Sequence, residues 1–102
     1  MTIFEKVVWE ATKKITRGKV TTYLSIAKAI GRPKAACAVG NALNKNPYAP
    51  QVPCHRVVKS DGSLGGFAGG VKKKKALLEK EGVVIEHNRV KDFAELTRWK
   101  LN

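Results

Sequence analysis

Cys54 and His55 stand side by side in the segment Pro53-Cys54-His55-Arg56-Val57, which holds the clearest chemistry in the sequence. Positive charge close to a cysteine favours the thiolate, which is the nucleophilic form of the side chain. A neighbouring histidine has the right chemistry to accept the thiol proton. A lone cysteine is also often a small buried hydrophobic residue, and a histidine can be purely structural, so the residues alone leave both interpretations open.

Metal and membrane functions are not expected. The two cysteines and two histidines lack the spacing of a zinc site, so we predict neither a metal nor a cofactor. Two cysteines cannot build a disulfide-dense scaffold, and no leader precedes the first helical pattern, which favours a reducing compartment. We expect a cytoplasmic, nucleoid-associated protein, or a nuclear one in a eukaryote. No apolar run in the sequence approaches the ~18 residues of a membrane span, so no membrane partner is expected.

The first half of the chain is predicted to form three helices that position this segment. Apolar residues at helical spacing place these helices at about 2–17, 23–30 and 33–45. Thr2 and Thr22 are the expected N-caps, and Gly31 ends the second helix. The second and third helices, with a tight turn between them, resemble a helix-turn-helix.

The second half begins with a stiff proline-rich loop that ends at Cys54. Residues 56–64 are predicted to form a hairpin, a further helix follows at 72–81, and a weak helical pattern covers 92–102. The lysine run at 72–75 is interpreted as a solvated helix face. The predicted fold class is mainly α with a small β hairpin, winged-helix-like with a helix-turn-helix, in a single domain over 1–102.

Positive charge is concentrated in one part of the chain. The 102 residues carry 20 Lys and Arg against 8 Asp and Glu, a formal charge of +12. Residues 11–60 contain ten of the basic residues and no acidic one. A span with one sign of charge favours a polyanionic partner, and nucleic acid is the leading candidate.

The segment 53–57 resembles the active-site signature of the alkylguanine-DNA alkyltransferases, also called methylated-DNA–protein-cysteine methyltransferases. Further segments resemble this family in unbroken order over about 4–85: Gly18-Lys19-Val20-Thr21-Thr22-Tyr23, Pro33-Lys34-Ala35-Ala36, Ala38-Val39-Gly40, Asn46-Pro47, Asp61-Gly62, Gly65, Gly69-Gly70, Leu77-Leu78 and Glu81-Gly82. The chain is similar to the C-terminal catalytic domain of the family. We expect no counterpart here of the N-terminal ribonuclease-H-like domain that many members carry.

The resemblance implies a DNA repair protein that flips 6-O-alkylguanine out of the duplex and transfers the alkyl group irreversibly to its own cysteine. Cys54 would be the acceptor, and His55 the base acting through a water. Glu81 would orient His55, Asn46 would hold the hinge before the active-site loop, and Tyr23 would give a proton to the leaving guanine. Each of the last three also has a purely structural explanation, as a helix-end, turn or core residue.

Two further sets of residues follow from the resemblance, for a monomer bound to double-stranded DNA that carries alkylated guanine. The DNA contacts would be Thr22, Tyr23, Lys34, Ala35, Cys37, Ala38, Asn41 and Arg56. The base pocket would hold Val57, Phe67, Ala68 and Gly69.

Cys37 departs from the family pattern, because it occupies the position of an arginine that fills the gap left by the extruded base. The sequence leaves open whether flipping is weaker, whether Lys34 or Asn41 contributes instead, or whether Cys37 is engineered or a second reactive thiol.

Two other functions compete with alkyl transfer. Alkyltransferase-like proteins recognise damage without transfer but usually have tryptophan in place of the acceptor cysteine. A winged-helix regulator would need polar base-reading side chains on the third helix, which are sparse.

Overall fold

The computed structural model describes residues 2–47, 51–65 and 70–97. The helices are α1 (Ile3–Thr12), α2 (Tyr23–Ala29), α3 (Ala36–Asn44), α4 (Val71–Lys80) and α5 (Phe93–Leu96). The strands are β1 (Thr21–Thr22), β2 (Val57–Val58), β3 (Ile85–Glu86) and β4 (Arg89–Val90). Helix α5 covers the start of the pattern predicted at 92–102, and residues 98–102 lie outside the described part of the chain.

Helix α1 begins with the predicted capping box. Oγ1 of Thr2 accepts a hydrogen bond from the N–H of Glu5 at 3.0 Å. In return, Oε1 of Glu5 accepts a hydrogen bond from the N–H of Thr2 at 2.9 Å. Two N–H groups that the helix itself leaves without partners are thereby satisfied.

The end of α1 differs from the prediction, since the helix stops at Thr12 rather than near residue 17. The Thr12 hydroxyl donates back to the Val8 carbonyl at 2.7 Å, and the chain then turns. Ile15 reaches the core from this turn and is 1% exposed. The apolar spacing therefore predicts the burial of Ile15 correctly, but the helix does not continue as far as this residue.

Helices α2 and α3 form the predicted helix-turn-helix. Oγ1 of Thr22 caps α2 by accepting a hydrogen bond from the N–H of Ser25 at 3.0 Å. Gly31 follows the helix with a φ of +78°, a left-handed conformation that favours glycine. The start of α3 differs from the prediction, because Pro33 lies in a separate turn and the helix begins at Ala36.

The hairpin predicted over 56–64 is wrong. Strand β2 pairs in parallel with β1, with Thr21 opposite Val57, and the antiparallel hairpin is formed instead by β3 and β4. The turn at 60–63 does form, since the N–H of Lys59 donates to the Ser63 carbonyl at 2.9 Å. Parallel strands need a long connection, so no local pattern in 56–64 identifies the true partner.

Helix α4 corrects the interpretation of the lysine run. Lys72, Lys73 and Lys75 are exposed, but Lys74 is fully buried at 0% exposure. Lys74 lies one helical turn before the buried Leu78, so both side chains are on the inner face of the helix.

Two apolar clusters meet at β2. Val57 belongs to the cluster formed with helices α1, α2 and α3, and Val58 to the cluster formed with α4, β3 and β4. Successive strand residues face opposite sides, which is why neighbours in sequence enter different clusters. Cys54 lies in the first cluster, next to this boundary. Within the described ranges, no helix is long and apolar enough to cross a bilayer.

Candidate functional site

Cys54 lies in a single 3-10 turn, Cys54–Arg56, that joins the proline-rich loop to β2. Its N–H donates to the Val52 carbonyl at 2.8 Å, and Nδ2 of Asn46 donates to the same carbonyl at 2.9 Å. Asn46 follows α3, so its amide ties the end of that helix to the turn that holds the cysteine. The Cys54 residue is 6% exposed, so the fold encloses it almost completely.

Glu81 brings His55 and Arg56 together beside Cys54. Its Oε2 lies 2.9 Å from Nε2 of His55 and 2.7 Å from Nη2 of Arg56. Nε of Arg56 donates to Oε1 of the same carboxylate at 2.9 Å. The remaining guanidinium nitrogen, Nη1, donates to the Ile15 carbonyl at 2.7 Å. Arg56 is therefore held inside the site by Glu81 and the Ile15 carbonyl, and its predicted contact with DNA stays a prediction.

The charge of Glu81 and the burial of His55 determine the protonation state and tautomer of this histidine. Burial by itself raises the pKa of Glu81, but the hydrogen bonds from Arg56 and His55 outweigh it and lower the pKa to about 2. An ionised carboxylate only accepts hydrogen bonds, so Nε2 of His55 carries the hydrogen between them. Burial lowers the pKa of His55 despite its contact with Glu81, which keeps the ring neutral near pH 7. Nδ1 of a neutral ring in this tautomer has a free lone pair and can act as a base.

Tyr23 and Lys74 contact each other near the same turn, since the charge of Cys54 acts on both side chains. Nζ of Lys74 donates to Oη of Tyr23 at 3.3 Å, to the Val57 carbonyl at 2.6 Å and to the Leu64 carbonyl. Burial and the charge of Cys54 raise the pKa of Tyr23, so the phenol is protonated near pH 7. Lys74 is not among the site residues predicted from the sequence, although its spacing of four from Leu78 places it on the apolar face of α4.

A groove of about 420 Å³ runs along α3 and reaches Tyr23. Cys37 and Asn41 line it, and both are exposed. Lys34 and Ala38 are also exposed, whereas Ala35 is half-buried and Thr22 is buried. Of the expected base-pocket residues, Val57 is fully buried. Phe67, Ala68 and Gly69 lie outside the described residues.

Comparison with known proteins decides the family. The sequence model described as "6-O-methylguanine DNA methyltransferase, DNA binding domain" matches residues 3–83. The chain belongs to this family. The matched range of this alkyltransferase-family chain contains Cys54, His55 and Glu81, so the site lies within the shared domain.

Several relatives of known name are similar to this family member. The methylated-DNA–protein-cysteine methyltransferase of Methanosarcina acetivorans is 53% identical over 79% of the chain and 52% of its own length. The corresponding protein of Salmonella typhimurium is 46% identical over 82% of the chain and 49% of its own length. The chain thus spans about half the length of the curated relatives that it matches.

Solved structures of the alkyltransferase family show the same fold. The Mycobacterium tuberculosis OGT in complex with DNA superposes with a TM-score of 0.78 and 48% identity, covering 79% of this chain and 50% of that chain. S. pombe Atl1 in complex with damaged DNA containing O6-carboxymethylguanine gives a TM-score of 0.84 and 35% identity, over 98% of this chain and 99% of that chain. The helix-turn-helix architecture is therefore that of the family.

Proposed function

We propose that the protein repairs alkylated DNA by transferring the alkyl group of a 6-O-alkylguanine to Cys54, once and irreversibly. The observation that carries this proposal is the contact of His55 with Glu81 at 2.9 Å, directly beside the cysteine in one short turn. A nucleophile, a base and a group that orients the base form the arrangement expected of an activated thiol. The names of the relatives support the same reaction.

The proposed reaction begins with the thiol proton of Cys54, which passes through a water to Nδ1 of His55. The thiolate then attacks the alkyl carbon, forming a new S–C bond. The bond between that carbon and the guanine oxygen breaks, and its electron pair stays on the guanine. Tyr23 gives its phenolic proton to the leaving base. The thioether is stable, so each molecule acts once.

The DNA would lie against α3, with the target base entering by the groove that Tyr23 and Cys37 line. The base must leave the stack, because the reacting atom is inaccessible inside the duplex. Lys34 and the other basic residues of 11–60 would grip phosphates, which positions the protein without reading sequence. Exposed Ala38 and the small residues of α3 suit close approach to a groove rather than readout of base edges.

The proposal assigns both DNA binding and chemistry to this one domain of 102 residues, acting as a monomer in the cytoplasm or nucleus. It identifies the chain with the cysteine-bearing catalytic part of the longer relatives. Support comes from the matched range 3–83, which includes the nucleophile, the base and the orienting carboxylate.

Damage recognition without transfer is the second candidate. The specific observation that favours it is the match to S. pombe Atl1. The match covers 99% of the Atl1 chain, and that structure is a complex with damaged DNA containing O6-carboxymethylguanine. Cys54 argues against it, since the resemblance drawn from the sequence implies that such proteins usually replace the acceptor cysteine.

Intact-protein mass spectrometry separates the two functions. The protein is incubated with a duplex oligonucleotide that contains one O6-methylguanine and is then weighed. Transfer predicts a gain of one methyl group that is absent from Cys54→Ala and present in the matched variant Cys37→Ala. No gain, together with tighter binding to the damaged duplex than to an undamaged one, overturns transfer in favour of recognition.

A further inference from the structure

The groove of about 420 Å³ beside Tyr23 has one charged residue in its lining, Lys59, within the described part of the chain. Helix α3 contributes only small or neutral polar residues to this lining: Ala36, Cys37, Gly40, Asn41 and Asn44. Lys59 and Ser60 line the groove from the segment that directly follows β2. A molecule that enters the groove therefore meets a positive charge that does not come from the helix-turn-helix.

The backbone of Lys59 is anchored by the turn at 60–63. Its N–H donates to the Ser63 carbonyl at 2.9 Å, and its carbonyl accepts a hydrogen bond from the N–H of Gly62 at 2.9 Å. The Gly62 carbonyl in turn accepts a hydrogen bond from the N–H of Val90 at 2.9 Å, which ties the turn to β4. The exposed side chain of Lys59 therefore extends from a backbone that is held on both sides.

The aliphatic stem of Lys59 lies beside Tyr23. A Cβ built on Gly65 would lie 3.3 Å from Cγ of Lys59 and 3.3 Å from Oη of Tyr23. Because both atoms would contact the same point, the lysine stem and the phenol lie close to each other. Lysine stems commonly pack along other side chains while the charged end stays in water. Lys59 thus brings its charge to the groove at the place where Tyr23 also lines it.

No carboxylate in the described ranges forms an ion pair with Lys59. The nearest acidic residue in sequence is Asp61, whose Oδ1 accepts hydrogen bonds from the N–H of Ser63 at 2.9 Å and from its hydroxyl at 2.7 Å. Oδ2 of Asp61 lies 3.8 Å from Nη2 of Arg89. The Asp61 carboxylate is therefore directed at the turn and at β4, and the charge of Lys59 is available to an anion in the groove.

We propose that Lys59 binds the phosphate of the extruded nucleotide at the mouth of this groove and thereby stabilises the flipped state of the damaged base. This inference rests on the proposed function, in which the base enters by the groove. A nucleotide that leaves the stack remains attached to its phosphate, and hydrogen bonds between charged partners are among the stronger ones in proteins. Lys59 contacts neither the alkyl group nor the guanine oxygen and takes part in no bond change.

This role differs from that of a lysine that only grips the duplex backbone. A contact made equally before and after flipping strengthens binding but does not change the rate constant of the bound complex. A contact made only after extrusion raises the fraction of bound complexes in which the base is flipped. The proposed role of Lys59 therefore affects the rate constant measured at saturating protein.

Single-turnover rate constants at saturating protein test this role on a duplex that contains one O6-methylguanine. Lys91→Met is the matched control, because it removes the same charge from a lysine that pairs with Glu86 outside the groove. We expect Lys59→Met to slow transfer by roughly 10-fold, the lower end for a hydrogen bond to a charged group, and Lys91→Met to match wild type. A rate constant for Lys59→Met equal to that of wild type overturns the proposal, even if the variant binds undamaged duplex more weakly.

A neutral phosphate identifies the group that Lys59 binds. Duplexes are made with an uncharged methylphosphonate on one side of the damaged nucleotide, on the other side, or at a distant position. At one of the two flanking positions, the methylphosphonate should slow wild type to the rate constant of Lys59→Met and leave the variant unchanged. At the distant position, the difference between the two proteins should remain.

A difference that remains at both flanking positions means that Lys59 acts through the fold or through the general field of the protein, and it overturns the proposal. Wild-type protein that transfers no methyl group from the unmodified duplex gives a separate result. In that case the proposed function itself fails, and the role of Lys59 in transfer fails with it.

Discussion

The Glu81 carboxylate lies 2.9 Å from Nε2 of His55, a residue 26 positions earlier in the chain. The contact joins the end of α4 to the turn that holds Cys54. It determines which ring nitrogen of His55 carries a hydrogen, and therefore which one is left to act as a base. Arg56 binds the same carboxylate at 2.7 Å, so the orienting group is itself held in place.

Replacing Glu81 with glutamine should slow alkyl transfer without abolishing it. An amide can donate as well as accept, so it no longer selects the His55 tautomer that leaves Nδ1 unprotonated. We expect a loss of roughly 100-fold in the single-turnover rate constant, the lower end for a positioned base. Glu79→Gln, an exposed change on the same helix, serves as the control. Equal rate constants for the two variants would mean that Glu81 has no part in the chemistry.

Acid should destabilise the protein through Glu81. The folded-state pKa of this carboxyl is about 2, below its ordinary value of 4.5, so its contribution to stability is complete above pH 4.5 and is lost as the pH falls toward 2. Urea midpoints measured between pH 6 and pH 2.5 should decline less steeply for Glu81→Gln than for wild type. At pH 6 the variant should be less stable by about 3 kcal/mol, because Arg56 loses its partner. Parallel declines would show that Glu81 does not account for the acid sensitivity.

DNA binding should depend strongly on salt. Residues 11–60 carry ten basic residues and no acidic one, and each phosphate contact releases a condensed counterion. Lys34→Ala should reduce the slope of log K against log salt by about 1. Lys91→Ala is the matched control, since Lys91 pairs with Glu86 at 3.4 Å near the β3–β4 hairpin. A change of slope for Lys91 and none for Lys34 would place the DNA on a different surface.

Cys37→Arg should speed transfer from duplex DNA but not from single-stranded DNA. Cys37 is exposed in the groove beside Tyr23, and an arginine there is long enough to fill the gap left by a flipped base. Single-turnover rate constants on the two substrates measure this difference directly. No gain on the duplex would indicate that a neighbour such as Asn41 already performs this task.

Local signals predicted much of the helical scaffold. The cap at Thr22 and the stop at Gly31 each depend on a few adjacent residues, and both are confirmed. The predicted end of α1 was wrong because Ile15 reaches the core from a turn rather than from a helix. Periodicity records which residues are buried, and a turn can bury the same residue as a helix.

Local sequence patterns could not predict which distant segments pair with each other. Nothing within residues 56–64 reveals that β2 pairs with β1, which lies more than thirty residues earlier. The same holds for Lys74, whose burial depends on oxygens from α2, β2 and the segment after the turn at 60–63. In a run of four lysines, spacing alone gives only a weak reason to single one out. The association of Cys54 with His55 was already suggested by their adjacency in the sequence, whereas Glu81 came only from the family resemblance, and the proposed roles of all three remain predictions.

The most direct test of the account is to locate the methyl group after reaction with a duplex containing one O6-methylguanine. Peptide mapping by tandem mass spectrometry compares the peptides that carry Cys54 and Cys37 in the same digest. Transfer by the proposed mechanism leaves one methyl group on Cys54, in proportion to the damaged base supplied, and an unmodified Cys37, even though Cys37 is the more exposed of the two. Methyl on Cys37, or on neither cysteine, would contradict it.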